Sequence, residues 1–197
     1  MLVKDKFLKK ISHLITIVVI FSSPTLIAKD TLIKLLDYNN SLKKTSALFI
    51  QSDGKSIEEG IVYFGLNRIK IEYTMPKKIT IILSEKKGVY INHDLKESQY
   101  FNTNKSYVKI FFKILKGSEF FETSKIRESK NIIELSKTFD LNDNFYKIKV
   151  IYENDPIKLR KIVVLENSND FEIGFFGHNN LKTLDKKFFS MVDPYLN

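Results

Sequence analysis

The stretch that decides the fold is residues 60–101, which read GIVYFGLNRIKIEYTMPKKITIILSEKKGVYINHDLKESQYF. Within it, the apolar residues Ile69, Ile71 and Tyr73 alternate with charged ones. A period of two with many β-branched and aromatic side chains is typical of antiparallel strands. We therefore expect five short strands here, joined by turns.

The apolar half of this pattern continues in the next run, at Ile79, Ile81 and Leu83. Because successive side chains of a strand point to opposite faces, each run puts its apolar residues on one face of the sheet. An antiparallel sheet of this kind has one wet face and one apolar face that another part of the protein must cover. We expect the apolar face to be concave and to line a hydrophobic cavity.

Length and composition indicate a single globular domain. The chain has 197 residues, of which 43% are hydrophobic and 28% are charged, and this length is sufficient for one core of ordinary size. The net charge is +9, but among 32 basic residues the only arginines are Arg68, Arg127 and Arg160. Bidentate contacts to phosphate and guanine favour arginine, so we expect no nucleic-acid partner.

Residues 1–28 have the pattern of an export signal. A lysine-rich start precedes an apolar run at residues 11–21, which is about half the length that a bilayer requires. A cleaved signal peptide is expected at 1–28 and a mature domain at 29–197, with an uncleaved anchor as the alternative. The chain contains no cysteine, which excludes disulfides, a thiol nucleophile and a lipid-modified N-terminal cysteine. These features fit a monomeric protein of a Gram-negative periplasm.

A first helix is predicted over residues 30–43. Leu32, Leu35, Leu36 and Leu42 fall at helical spacing there, with polar residues around them.

A second helix is predicted over residues 106–116, SYVKIFFKILK, which is apolar around most of its circumference apart from one stripe of lysines. Ser106 can cap this helix and Gly117 can end it. Two interpretations stay open, a core helix packed on the sheet and a lid over the hydrophobic cavity. The residues expected to serve the lid are Val108, Phe111, Phe112 and Leu115.

The second half of the chain returns to strands separated by turn residues. The predicted strands are residues 131–138, 144–153, 157–166 and 171–177. About ten strands and two helices indicate a mainly β (α+β) protein. A sheet of that size must curl or close, so we expect a large curved antiparallel sheet forming an unclosed barrel.

No catalytic or metal-binding constellation is recognisable. His93 and His178 fall in a predicted turn and loop, without acidic or cysteine partners at ligand spacing, so we expect no metal site. The sequence has neither a glycine-rich phosphate loop nor a nucleophile elbow. We therefore expect no enzymatic activity and no cofactor.

Four short motifs follow one another in a familiar order. A Phe-x-Gln strand at residues 49–51 precedes Arg-Ile-Lys-Ile-Glu-Tyr at residues 68–73, with Pro76 three residues further on. A hairpin, KGVYINHDLK, follows at residues 87–96, and FFSMVDP closes the chain at residues 188–194. In this order the motifs resemble the LolA family of periplasmic outer-membrane lipoprotein carriers, over nearly all of the mature chain.

The resemblance implies an unclosed β-barrel capped by helices, whose cavity carries the acyl chains of lipoproteins from the inner to the outer membrane. It implies three partners: acylated lipoproteins, an inner-membrane lipoprotein-releasing ABC transporter and an outer-membrane lipoprotein acceptor. Gly65 and Leu66 stand where family members usually carry the Arg-Pro pair thought to tie sheet to lid. The cavity residues expected are Leu35, Leu36, Phe49, Ile69, Ile71, Tyr73, Ile79, Ile81 and Leu83.

Two other classes of function stay open. The same fold could serve as an envelope-stress sensor or another lipid-binding module, without cargo turnover. A periplasmic hydrolase with a lipid-shaped pocket is the third class.

The N-terminal pattern makes a direct prediction. When the chain is expressed with its own N-terminus in a Gram-negative host, residues 1–28 should be removed on export because the basic and apolar segments match a secretory signal. Intact-mass spectrometry of the periplasmic fraction measures the result. Retention of Met1 in the exported protein would contradict it.

Overall fold

The computed structural model of the protein describes residues 24–105, 108–141, 144–166, 169–182 and 185–196. Most of the expected signal peptide, residues 1–23, lies outside the described residues. The chain divides into two compact units, Met1–Thr31 and Leu32–Asn197. Of the first unit, only the beginning of one helix is described. The whole sheet belongs to the second unit.

Most of the described chain is in β-strands. The helices are α1 (Pro24–Ser41), α2 (Val108–Lys116) and α3 (Ser118–Thr123), with short 3₁₀ turns at Thr103–Lys105 and Lys186–Phe189. The strands are β1 (Thr45–Ser52), β2 (Ile57–Phe64), β3 (Ile69–Met75), β4 (Ile79–Leu83), β5 (Lys87–Asn92), β6 (Glu97–Asn102), β7 (Lys125–Glu128), β8 (Ile132–Leu141), β9 (Asn144–Asn154), β10 (Ile157–Glu166) and β11 (Asn169–Asn180).

These strands form one antiparallel sheet in the order β6-β5-β4-β3-β2-β1-β11-β10-β9-β8-β7. The edge strands β6 and β7 are not paired with each other in the described part of the chain, so the barrel is unclosed. The mainly β fold and the large antiparallel sheet predicted from the alternating pattern are confirmed.

The chain passes from one edge of the sheet to the other between β6 and β7. It leaves the sheet at Asn102, contributes the 3₁₀ turn, α2 and α3, and re-enters at Lys125. Helices α2 and α3 therefore both belong to the segment that links the two edges.

Strands β8, β9 and β10 hold the well-packed part of the core. Leu135, Val150 and Ile162 are fully buried on the inner face of these strands. Helix α3 contributes Phe120, which stacks on Phe139 at 6.1 Å between ring centroids. An aromatic pair in such a geometry adds to the stability that area burial alone provides.

Helix α1 ends earlier than predicted. The expected helix over residues 30–43 in fact begins at Pro24 and ends at Ser41. Beyond that point the Leu42 N–H donates to the Tyr38 carbonyl, and Lys44 adopts a left-handed conformation with φ of 67°. That conformation turns the chain out of the helix and into β1.

Two elements were not predicted at all, helix α3 and strand β7. Helix α3 has six residues, less than two turns, and β7, KIRE, has one apolar residue, Ile126. Neither therefore carries a hydrophobic period. The second predicted helix, residues 106–116, is observed as α2, while residues 106 and 107 lie outside the described part.

The expectation of one wet face is wrong for strands β4 and β5. Ile82, Val89 and Ile91 point away from the cavity side and are nevertheless buried, in a cluster with Met191 from the C-terminal segment. The Tyr100 hydroxyl donates to the Met191 carbonyl at 2.9 Å and holds this segment in place. The C-terminal segment therefore covers the outer face of the sheet at β4 and β5.

The same C-terminal segment explains Arg68. Its guanidinium donates to the Phe189 carbonyl, and Lys70 lies over the Phe188 ring, with Nζ 3.9 Å from the centroid. Arg68 thus ties the sheet to the C-terminal segment.

Gly60 is required by the close approach of neighbouring strands. A Cβ at this position would lie 2.1 Å from the Glu72 carbonyl oxygen and 2.7 Å from Phe49 Cε1. By contrast, a Cβ at Gly174 would meet only the Ile50 carbonyl oxygen, at 3.9 Å, which is an ordinary contact.

Gly60→Ala should therefore lower the free energy of unfolding by about 1–3 kcal/mol through overpacking. Gly174→Ala, the matched control on a neighbouring part of the sheet, should change it little. Urea unfolding followed by circular dichroism compares the two variants. Equal stabilities would show that the strands adjust around a side chain at position 60.

Candidate functional site: an apolar cavity beneath helix α2

The inner face of the sheet and helix α2 line a partly open cavity of about 370 Å³. Its lining residues come from β1 to β6, from β11 and from α2. They are Phe49, Gln51, Val62, Phe64, Ile69, Ile71, Tyr73, Ile81, Leu83, Tyr90, Gln99, Phe101, Phe111, Leu115, Phe171, Ile173 and Phe175. None of these residues is charged.

Strand register brings the lining residues together. Ile69 lies opposite Leu83 and Ile71 opposite Ile81 in the β3–β4 pair, so the alternating residues of both strands meet on one face. The pattern that defined the strands therefore also defines the wall of the cavity.

Six of the nine cavity residues expected from the sequence line this space. They are Phe49, Ile69, Ile71, Tyr73, Ile81 and Leu83. Leu35 and Leu36 of α1 do not: Leu35 is fully buried in the core and Leu36 packs against it. Ile79 is also absent from the lining, although Tyr73, its partner in β3, belongs to it.

Helix α2 combines features of both interpretations of its sequence. Ile110, Phe112 and Ile114 are buried in the core, whereas Phe111 and Leu115 face the cavity. Of the four residues expected to serve a lid, Phe111 and Leu115 thus line the cavity and Phe112 does not. The Val108 side chain is not among those described. That α2 opens and closes stays a prediction.

Sequence reasoning missed the lining residues of β2, β5, β6 and β11, and Gln51 of β1. Tyr90 and Gln99 extend the row that contains Ile71 and Ile81 across the sheet. Phe175 lies opposite Phe49 in the β1–β11 pair, which only the strand order reveals because the two strands are far apart in sequence. Tyr90 and Gln99 could have been predicted from the sequence by extending the strand register through the β4–β5 and β5–β6 hairpins.

The Asn39 side chain of α1 forms hydrogen bonds with the C-terminal end of α2. The Asn39 amide nitrogen donates to the Leu115 carbonyl at 3.0 Å and to the Ile114 carbonyl at 3.4 Å. The last carbonyls of a helix lack partners within it, so this amide supplies one. Asn39 is 8% exposed, and its Oδ1 is buried without a hydrogen-bond partner among the described residues.

A hydrogen-bonded polar cluster lies at one end of the cavity, and Gln99 adds a polar side chain in the row of Ile71. The Tyr73 hydroxyl donates to Gln51 Oε1 at 3.2 Å, and Gln51 Nε2 donates to Glu58 Oε2 at 3.0 Å. Opposite this end, Phe64, Ile69 and Leu83 are almost completely buried. The cavity therefore has an apolar floor and a hydrogen-bonding rim, an arrangement suited to an amphiphilic ligand.

The two histidines among the described residues, His93 and His178, lie outside the cavity. His93 lies within 2.8 Å of both Thr80 Oγ1 and Tyr195 Oη, on the outer face. His178 lines a second pocket of about 310 Å³, and burial, with Arg160 and Lys158 nearby, lowers the pKa of its imidazole. Among the described residues, no group of three or more His, Asp or Glu is placed to hold a metal ion. Nor does any helix in the described ranges have the length and apolarity to span a membrane.

Comparisons with known proteins add a likeness of fold. Neither a protein-family model nor a curated protein matches the sequence. An uncharacterized conserved protein from Thermus thermophilus superposes with a TM-score of 0.55 at 8% identity, over 85% of this chain and 96% of that one. LprF from Mycobacterium bovis superposes with a TM-score of 0.42 at 11% identity, over 80% of this chain and 97% of that one. The Thermus protein shares the fold.

The Asn39 contact predicts how firmly α2 is held. Asn39→Ala removes the donor to two helix-end carbonyls but also the unpaired Oδ1, so it should cost the packed position of α2 about 1 kcal/mol. Hydrogen exchange of the α2 amides should then quicken by roughly fivefold, the factor that corresponds to this free energy, while the β8–β10 amides stay protected.

Asn40→Ala is the matched control, since Asn40 is exposed and its side chain only accepts from Lys43 at 3.3 Å. Equal exchange in both variants would show that Asn39 does not hold α2.

Proposed function

We propose that this protein is a periplasmic carrier of the LolA type, which binds the acyl chains of lipoproteins and shuttles them from the inner to the outer membrane. The observation that supports the proposal most is the cavity itself. Its lining carries no charge, and it lies between an unclosed sheet and an apolar helix whose end is held by one amide. No chemical step is required of such a carrier.

The physical need for a carrier follows from the cost of exposing acyl chains to water. Each methylene contributes about 0.8 kcal/mol, so one chain of about fifteen methylenes costs on the order of 12 kcal/mol. That cost prevents unaided transit between membranes. Walls formed by Phe49, Ile71 and Phe175 replace water around the chain and remove much of it.

Release sets an upper limit on affinity, because a cargo bound too tightly would not leave. The cavity is accessible from the side of the hydrogen-bonding rim at Gln51, where Ile71 and Tyr73 are half-buried. We propose that cargo enters from an inner-membrane lipoprotein-releasing ABC transporter and leaves to an outer-membrane lipoprotein acceptor. The protein would act as a monomer in the periplasm.

Site-specific photo-crosslinking tests this proposal. A photo-reactive residue at Ile71 should capture acylated lipoprotein in living Gram-negative cells, because Ile71 lies in the cavity wall. The control is the same residue at Ile50, an isoleucine 40% exposed on the opposite face of the sheet. Mass spectrometry of the adducts should find an acyl-bearing N-terminal peptide at position 71 and background labelling at position 50.

The other classes of function give different results in the same experiment. Capture of a protein partner at position 50, with no acyl group at position 71, would favour a sensor. Turnover of an ester lipid by the purified protein would favour a hydrolase. Either result would refute the carrier.

A further inference from the structure

Three neighbouring turns at the open end of the cavity each present an exposed aliphatic side chain. These mouth turns connect β1 to β2, β3 to β4 and β5 to β6, and they span residues 53–57, 75–78 and 93–96. Ile57 is 65% exposed, Met75 56% and Leu95 63%. Single exposed aliphatic residues are common on proteins, but three beside the mouth of an apolar cavity point to a surface that covers them.

The strand register brings the three turns together. Met75 pairs with Glu59, so Ile57, two residues before Glu59, is its diagonal neighbour at about 7–8 Å. The His93 N–H donates to the Lys78 carbonyl at 3.1 Å and holds the third turn against the second. The three aliphatic side chains therefore belong to one continuous edge of the protein.

The turns are fixed by their own side chains. Asp53 Oδ1 accepts from the backbone N–H groups of Lys55 and Ser56, at 2.9 and 2.7 Å. Asn92 Oδ1 accepts from the Leu95 N–H at 3.1 Å. Bonds of this kind order a turn locally, so the exposure of the aliphatic residues is built into the fold.

Every mouth turn also carries lysine. The exposed lysines are Lys55, Lys77, Lys78 and Lys96. None of them takes part in an ion pair within the described part of the chain. The turns contain two carboxylates, Asp53 and Asp94, so their net charge is +2.

The opposite end of the same strands provides a comparison. Lys86 and Lys87 lie at the β4–β5 turn there, so lysine alone does not distinguish the two ends. Among the described residues of the β2–β3 and β4–β5 turns, however, Leu66 is the one exposed large aliphatic residue, at 60%. Several aliphatic side chains together with lysine therefore mark the mouth end.

This combination fits a lipid surface better than a protein partner. Protein interfaces are depleted in lysine and enriched in arginine and aromatic residues, and the mouth turns contain no Arg, Trp, Tyr or Phe. Binding at the surface of an anionic bilayer uses apolar groups that enter the acyl boundary and ammonium groups that reach the lipid phosphates. Lysine suits that position because its stem is apolar and its charge is at the tip.

We propose that the mouth turns dock the protein on an anionic bilayer surface, with Ile57, Met75 and Leu95 in the acyl boundary and the lysines at the lipid phosphates. Tyr73 of the cavity lining is two residues from Met75, or about 7 Å along the strand. The docked cavity therefore opens toward the membrane. This contact goes beyond the proposed function and holds whether or not the cargo is a lipoprotein.

The two other hairpins at this end of the sheet determine how the docked protein leans. Asp140, Glu166 and Asp170 lie there, near the exposed Phe145. An anionic surface repels these carboxylates, so the protein should rest on the mouth turns, with the β8–β11 side raised.

Vesicle flotation tests the docking. Exported protein purified from a Gram-negative periplasm is mixed with protein-free vesicles of phosphatidylglycerol and phosphatidylethanolamine, or of phosphatidylcholine alone. The protein should float with the anionic vesicles, and salt should release it because exposed charges are screened. Equal binding to the two compositions would overturn the inference.

Variants with the same N-terminus assign the binding to the mouth turns. Ile57→Ser, Met75→Ser and Leu95→Ser combined should lower the partition coefficient by roughly sixtyfold, or about fourfold for each methylene equivalent withdrawn. Lys77→Gln with Lys78→Gln should lower it by roughly 25-fold, or about fivefold per lysine. Leu66→Ser, the matched control at the opposite end, should leave it unchanged. A triple serine variant that floats as well as the wild type would contradict the proposal.

A fluorescent label locates the contact independently of affinity. Because the chain contains no cysteine, Met75→Cys and Leu66→Cys each create one site for an environment-sensitive fluorophore. On anionic vesicles the label at position 75 should shift to shorter wavelength and be quenched by spin-labelled lipids, and the label at position 66 should do neither. Equal responses at both positions, or a response at position 66 alone, would place the contact elsewhere.

The outcomes separate this inference from the proposed function. Lipoprotein capture at Ile71 without vesicle binding would leave the carrier standing and refute the membrane contact. A label at position 75 that responds to envelope proteins but not to vesicles would assign the mouth turns to a protein partner and also refute it. Vesicle contact at position 75 without lipoprotein capture would refute the carrier and leave the membrane contact standing.

Discussion

The structure depends on keeping the apolar inner face of one large antiparallel sheet out of water. Over β8, β9 and β10 the helices pack closely enough to bury Leu135, Val150 and Ile162 completely. Over β2 to β6, the helical cover among the described residues comes from α2, and Ile71 and Tyr73 stay half-buried around the cavity. The difference in helical cover between the two halves of one sheet creates the cavity.

The contact at Asn39 gives α2 an intermediate strength of attachment. Its amide satisfies two carbonyls, but its own Oδ1 is buried without a partner among the described residues. A buried unpaired acceptor costs about 1–3 kcal/mol, which offsets part of what the amide contributes. Ile110 and Ile114 hold the helix by packing, so α2 is attached firmly on its core side and weakly at its end. Such a balance suits an element that covers a binding site.

Much of the fold could be predicted from sequence because side-chain alternation is a local signal. It located β3 and β4 and six residues of the cavity wall. The prediction failed where long-range pairing decides, because Phe175 joins the wall through β11. The contact of Asn39 with α2 could not be predicted, because a polar residue in an amphipathic helix is normally assigned to the exposed face. The outer cover over Val89 was missed because a short C-terminal segment supplies it.

The length of the segment that links the two edge strands can affect the curvature of the sheet. Strands β6 and β7 are joined by residues 103–124 and not by hydrogen bonds between them in the described part. The distance between the sheet edges is therefore bounded by the reach of that segment. An insertion there would let the sheet flatten and a deletion would force it to curl, because a twisted sheet can vary its curvature. Ligand capacity could thus be rescaled by loop length, with every strand residue of the cavity wall unchanged.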